Sequence, residues 1–214
     1  MDRRQKIAAA ALAHADCSSV LNVPLYTEAV IRPVDRTDRL HSFYFGNKDQ
    51  STCALAAVGF LRIAGCEEDE CVGTYFPPSG ERNAMQDIQE LAKRCGAWRA
   101  EAPDMPPMKQ GDVWVIANSQ GMDAHTGVCT ADAVVAADVS WTVPTVEGGQ
   151  VPTDEHGRAV AGEGCTAQLA FTRHFVKNGA RWMLGNRYLI GYASADALPV
   201  PDDMTDPDQT IQPT

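Results

Sequence analysis

Apolar positions change their spacing at a Pro-rich connector, residues 103–110. Before it they recur every three or four residues, as on one face of a helix; after it they come in short runs broken by Gly, Asn and Asp. Residues 1–15 read as a helix. A second helix opens at Cys53, runs through Ala54, Leu55, Ala56, Ala57, Val58, Phe60, Leu61 and Ile63, and stops at Gly65. Ser51 and Thr52 before it are good caps, and glycine is the common residue just past a helix end. A third starts at Asn83, with Gln86 three residues on, and carries Met85, Ile88, Leu91, Ala92 and Cys95 on one stripe up to Gly96. Strands are expected at Gly111–Ala117, His125–Ala131, Trp141–Glu147, Gln168–Thr172 and Tyr188–Ala193, with Ala133–Ala137 either extending the second or forming another. Arg181–Gly185 stands unassigned between the last two. Helices first, then consecutive strands, predict an α+β domain with helices packed on a central antiparallel sheet.

Charge and composition narrow the partners. With 214 residues and a formal net charge of -10, the chain lacks the clustered Lys and Arg that phosphate backbones or a membrane surface require. No nucleic-acid partner and no membrane insertion are expected, since no apolar run reaches transmembrane length. Met1–Asp16 begins like an export signal, but its apolar run is short and His14 and Asp16 follow it, so an amphipathic helix is the better reading and the protein is expected to be cytoplasmic when made. Seven cysteines, Cys17, Cys53, Cys66, Cys71, Cys95, Cys129 and Cys165, include no C-x-x-C pair and no histidine at zinc-finger spacing. They are expected to be mostly reduced core thiols, with Cys66 and Cys71 near enough in sequence to bridge. Glu67–Glu70 reads as a solvated acidic loop, and Pro199–Thr214, rich in Pro and Asp, as a disordered tail.

The candidate chemistry begins at Cys53. A cysteine in the first turn of a buried helix meets backbone N–H groups and the positive end of the helix dipole, both of which favour a thiolate. A nucleophile also needs a base, and the base something to orient it. Of the five histidines, His14 lies in the first helix, His41 among aromatics before the second, His156 in a loop and His174 after a strand. His125 has the setting a base requires: it sits where a Gly/Ser/Asn loop enters a strand.

Cys53 opening an apolar helix, Gly111-Asp112-Val113-Trp114 opening a strand and His125-Thr126-Gly127-Val128 opening the next resemble the CHAP and NlpC-type group of papain-like cysteine hydrolases. The resemblance spans about residues 41–195. It implies a papain-like core over 41–198, preceded by a helical or irregular extension, 1–40, and followed by the tail, 199–214. It further implies amide hydrolysis by Cys53 and His125 without a cofactor, on peptidoglycan stem or cross-bridge peptide, as an amidase or endopeptidase of lysin or toxin type, with an immunity protein as a conceivable partner. For the third residue, Val146-Glu147-Gly148-Gly149-Gln150 resembles an E-G-N signature and points to Glu147, with Asp138 second; Gly149 stands where that signature has Asn. Asn47, and after it Gln50, are candidates for the side-chain donor to an oxyanion. Alternatives are a protease or acyltransferase acting outside the cell wall, an inactive binding module on the same fold, and a metal site using His125, Cys129 and a carboxylate. Trp114, Trp141 and Trp182 are expected in the core rather than in a cleft.

Overall fold

The computed structural model describes residues 1–15, 53–66, 84–136, 139–150 and 167–202. Among the described residues three helices come first: α1 (Arg3–Ala13), α2 (Cys53–Ile63) and α3 (Ala84–Arg94). Eight strands follow among the described residues: β1 (Trp98–Ala100), β2 (Val113–Ala117), β3 (Asp123–Cys129), β4 (Val134–Ala136), β5 (Ser140–Gln150), β6 (Ala167–Asn178), β7 (Arg181–Leu184) and β8 (Arg187–Ala193). The α+β class and the order of helices before strands agree with the sequence pattern. Two strands were not expected from it. β1 is only three residues long, and β7, the unassigned Arg181 segment, is the first arm of a tight hairpin. Neither is long enough to show a period.

The sheet is antiparallel in every pairing, ordered β1-β8-β2-β3-β5-β6-β7, with β4 added to β5. β7 also pairs with β8, so the sheet curls round and six strands close on themselves. Strand alternation then sorts side chains into two cores. One face of the strands fills the inside of the curl with Trp114, Ile116, Cys129, Trp141, Val143, Phe175, Trp182, Leu189 and Tyr192. Trp141 and Trp182 stack there, 3.8 Å between centroids. The other face presents Val113, Val128, Val146 and Ala193 to the helices.

α2 is buried nearly all round, as its unbroken apolar sequence requires. Cys53, Ala54, Ala56, Ala57, Val58, Phe60 and Leu61 all lie in the helix–sheet core, and the helix packs on β5, β3 and α1. Its end is a Schellman turn: Gly65, at φ 102°, directs its own N–H to Arg62 and that of Cys66 to Leu61.

α1 belongs to the same core through Ile7, Ala10 and Ala11. Asp2 caps it in a reciprocal capping box with Gln5. Its basic first turn is tied to the far end of the chain. Arg3 pairs with Asp202, Lys6 bonds the Pro201 carbonyl, and Arg4 joins Asp196 and Asp112. Residues 199–202 are therefore not the start of a loose tail: Val200 is buried. Residues 203–214 lie outside the described residues.

The Gly111-Asp112 pair has a structural task at this junction. A Cβ on Gly111 would stand 2.9 Å from the backbone of Arg4, so only glycine lets α1 approach. Asp112, buried, accepts from the backbone N–H of Lys109 and Ala195 and from Arg4. Asp112→Ala strands those donors and should lower stability by about 2–4 kcal/mol, read from urea unfolding. A loss below about 0.5 kcal/mol would show that the junction contributes nothing.

Candidate functional site

The site lies where α2 meets the β3 and β5 strands. Cys53 is the first residue of α2 and is 2 % exposed. His125, near the start of β3, is hydrogen-bonded to the Cys53 side chain on one side and to Glu147 on the other. Its Nε2 stands 2.8 Å from Oε2 of Glu147. Committing Nε2 to the carboxylate leaves Nδ1 as the ring nitrogen for the thiol. The Trp114 indole meets the imidazole in a T-shaped contact, 5.6 Å between centroids, and limits how the ring can turn.

Glu147 reaches His125 because of what lies between them. Val128 pairs with Val146 and Cys129 with Thr145, which sets Gly127 opposite Glu147. A Cβ at Gly127 would stand 2.6 Å from the Trp114 ring and 2.7 Å from Cγ of Glu147. The bare glycine is thus the floor across which the carboxylate extends to the histidine two residues away. Gly127→Ala should push Glu147 and Trp114 apart and lower stability by about 1–3 kcal/mol, measured by urea unfolding. An alanine variant as stable as wild type would remove this role.

A β-bulge adds a further group. The β5–β6 register shifts between Glu147 and Gln150, and Gly149 takes a left-handed φ of 70°. In regular alternation residues 147 and 150 would face opposite ways. The bulge turns Gln150 back, and its amide nitrogen lies 3.2 Å from the same Nε2 of His125.

Glu147 is completely buried and its oxygens are fully engaged. Oε1 accepts from the Thr145 hydroxyl at 2.7 Å and from Nε of Arg173 at 2.6 Å; Oε2 accepts from Nη2 of Arg173 at 2.5 Å, beside its bond to His125. Burial raises the energy of the carboxylate, but the hydrogen bonds from Arg173, His125 and Thr145 outweigh it and hold the group below its ordinary pKa. Burial likewise opposes a charged His125 ring. The hydrogen bonds and charges of Cys53 and Glu147 prevail, and its pKa is pushed up to about 9. The site thus favours an imidazolium beside the Glu147 carboxylate.

Of the residues singled out from sequence, the fold brings Cys53, His125 and Glu147 together. Asp138, Asn47 and Gln50 lie outside the described residues, as do His41 and His156. His14 stacks on Phe60 and His174 faces the Thr142 hydroxyl, both away from this cluster. Cys53, Cys95 and Cys129 are free thiols, but Cys66 is disulfide-bonded to a cysteine outside the described residues, which corrects the expectation of reduced thiols at that position. Cys129 packs inside the curled sheet, and burial raises its thiol pKa well above the ordinary value. Among the described residues no group of three or more His, Cys, Asp and Glu is placed to hold a metal ion. None of the helices among them is long and apolar enough to cross a membrane.

Thr145, Gln150 and Arg173 were not expected at the site. One signal was available for Arg173. It shares the inward alternation of β6 with Phe171 and Phe175, and a cation in an apolar row requires a buried anion. No family model, curated protein or solved structure matches the chain.

Proposed function

We propose that the protein is a papain-like cysteine hydrolase of the CHAP or NlpC type that cleaves amide bonds, with Cys53 as nucleophile, His125 as general base and acid, and Glu147 as the group that orients the base. One observation carries the reading. A cysteine at a helix N-terminus is hydrogen-bonded to a histidine whose other nitrogen is bound to a buried carboxylate. A purely structural cluster has no need of three titratable groups in series inside a core.

In this mechanism Cys53 enters as thiolate, its proton resting on Nδ1 of His125. The sulfur attacks the amide carbonyl carbon. Negative charge develops on the oxygen at the N-terminus of α2, where backbone N–H groups and the helix dipole favour it. The C–N bond breaks as Nδ1 hands its proton to the departing amine. His125 then takes a proton from water, the hydroxide attacks the thioester, and Cys53 leaves as thiolate with the proton back on the ring. Glu147 holds Nε2–H throughout and stabilises the imidazolium.

The substrate class rests on the resemblance, which points to stem or cross-bridge peptide of peptidoglycan. The Cys66 disulfide suits an oxidising destination of the kind where that polymer lies. Digestion of purified peptidoglycan, followed by mass spectrometry of the soluble fragments, tests it. A new amine and a new carboxyl at one defined amide are expected, and none with Cys53→Ala. Intact peptidoglycan alongside cleavage of another acyl substrate would keep the chemistry and discard the substrate.

A further inference from the structure

We propose that Arg173 is a positioning residue for the reaction: it clamps both oxygens of Glu147 from the side opposite His125 and so fixes the carboxylate, as an anion, in the plane that meets Nε2. This rests on the Cys53–His125–Glu147 reading and extends it by one residue.

The geometry argues for more than charge balance. Nε and Nη2 of Arg173 take one oxygen each, a fork-to-fork pair that resists rotation of the carboxylate about its terminal bond. Thr145 holds the same Oε1, and Oε2, beside its Arg173 bond, meets Nε2 of the histidine. Arg173 is itself fixed, since its guanidinium lies over the Phe171 ring at 4.2 Å. Glu147 is 0 % exposed and the Arg173 side chain 27 %, so water reaches the outer edge of the arginine but not the carboxylate. Without the clamp, the carboxylate would face burial with one hydroxyl and one imidazole as donors.

Around Glu147 the titratable and charged groups among the described residues are His125 and Cys129 on β3 and Arg173 on β6, with Cys53 beyond the histidine on α2. Removing Arg173 affects Cys53 in one direction. If Glu147 then takes up a proton, the imidazolium loses its counter-charge. If Glu147 stays ionised, the cluster is more negative by one charge. Either way the Cys53 thiolate is disfavoured, and its titration moves to higher pH. A lysine restores the charge as a point but not the fork.

The experiment is the rate of Cys53 alkylation by iodoacetamide against pH, resolved by peptide mass spectrometry, alongside kcat/KM for hydrolysis, in wild type, Arg173→Met and Arg173→Lys. Circular dichroism checks folding. The expected result is a midpoint raised by about one pH unit or more in the methionine variant. A fall in kcat/KM of roughly tenfold to a hundredfold should accompany it, with partial recovery in the lysine variant. A folded methionine variant with the wild-type midpoint would overturn the proposal while leaving the triad intact. Should methionine prevent folding, the lysine variant decides: wild-type midpoint and rate there would deny the fork any role. If Cys53 of the unaltered protein titrates like a free thiol, at about 8.5, the triad reading fails and this one with it. That failure is distinguishable because it appears without any substitution.

Discussion

Cys53→Ala should lower hydrolysis roughly 10⁴-fold or more while the protein stays folded. The thiol is the only group in the cluster able to form the acyl intermediate, so no neighbour can replace it. Its side chain is small and the site is closely packed, and exchange for alanine leaves a void of about one atom, with a stability change of about 1 kcal/mol. The substitution also has an electrostatic readout. Part of what lifts the His125 pKa to about 9 is its bond to Cys53 and the charge of the thiolate. In the alanine protein the imidazole should therefore titrate below about 9, measurable by NMR. In the wild type, the charged ring contributes stability that is complete below the unfolded-state value, about 6.5, and is lost as pH rises through about 9. The rate should decline over the same alkaline range, because deprotonated His125 has no proton for the leaving amine. Full activity in Cys53→Ala, or an unchanged His125 titration, would remove the thiol from the mechanism.

Glu147→Gln should damage both rate and stability. The two oxygens of Glu147 each receive an Arg173 N–H, so either orientation of a glutamine amide turns its NH₂ group against a guanidinium donor. One of those orientations also withdraws the acceptor from Nε2 of His125. The arginine is left without its counter-ion and the histidine without the anion that selects its tautomer. A fall in kcat on the order of 10³–10⁴ is expected, as for loss of a triad carboxylate, together with about 3–5 kcal/mol of stability. The cause can be isolated by a double-mutant cycle. Adding Arg173→Met should recover part of the stability of Glu147→Gln, since the stranded charge is gone, and none of the activity. Additive losses in the double variant would mean that the two residues do not act as a pair. Because Glu147 sits below its ordinary pKa, its stabilising effect is present above the unfolded value and disappears as pH falls through the folded one. Wild type should accordingly lose stability in acid more steeply than Glu147→Gln.

The elements that the sequence made readable are those whose pattern is local. α2 announces itself through caps, an unbroken apolar run and Gly65, and its first residue is the cysteine. β2 and β3 announce themselves through Gly111-Asp112 and His125-Thr126-Gly127, each glycine marking a close approach. Those features determined the α+β class and singled out the cysteine, the histidine and the carboxylate that the fold brings together. Three things needed the tertiary structure. The curl of the sheet depends on β7 pairing with β8 through a few residues, a contact with no sequence period. The placement of Gln150 depends on a bulge, whose extra residue reverses an alternation that sequence reading takes as regular. The clamp on Glu147 joins residues 26 positions apart on neighbouring strands. Local propensity ranks which residues can do chemistry; register, bulges and burial decide which of them meet, because a carboxylate acts on a histidine only across a few ångströms and only where water is kept out.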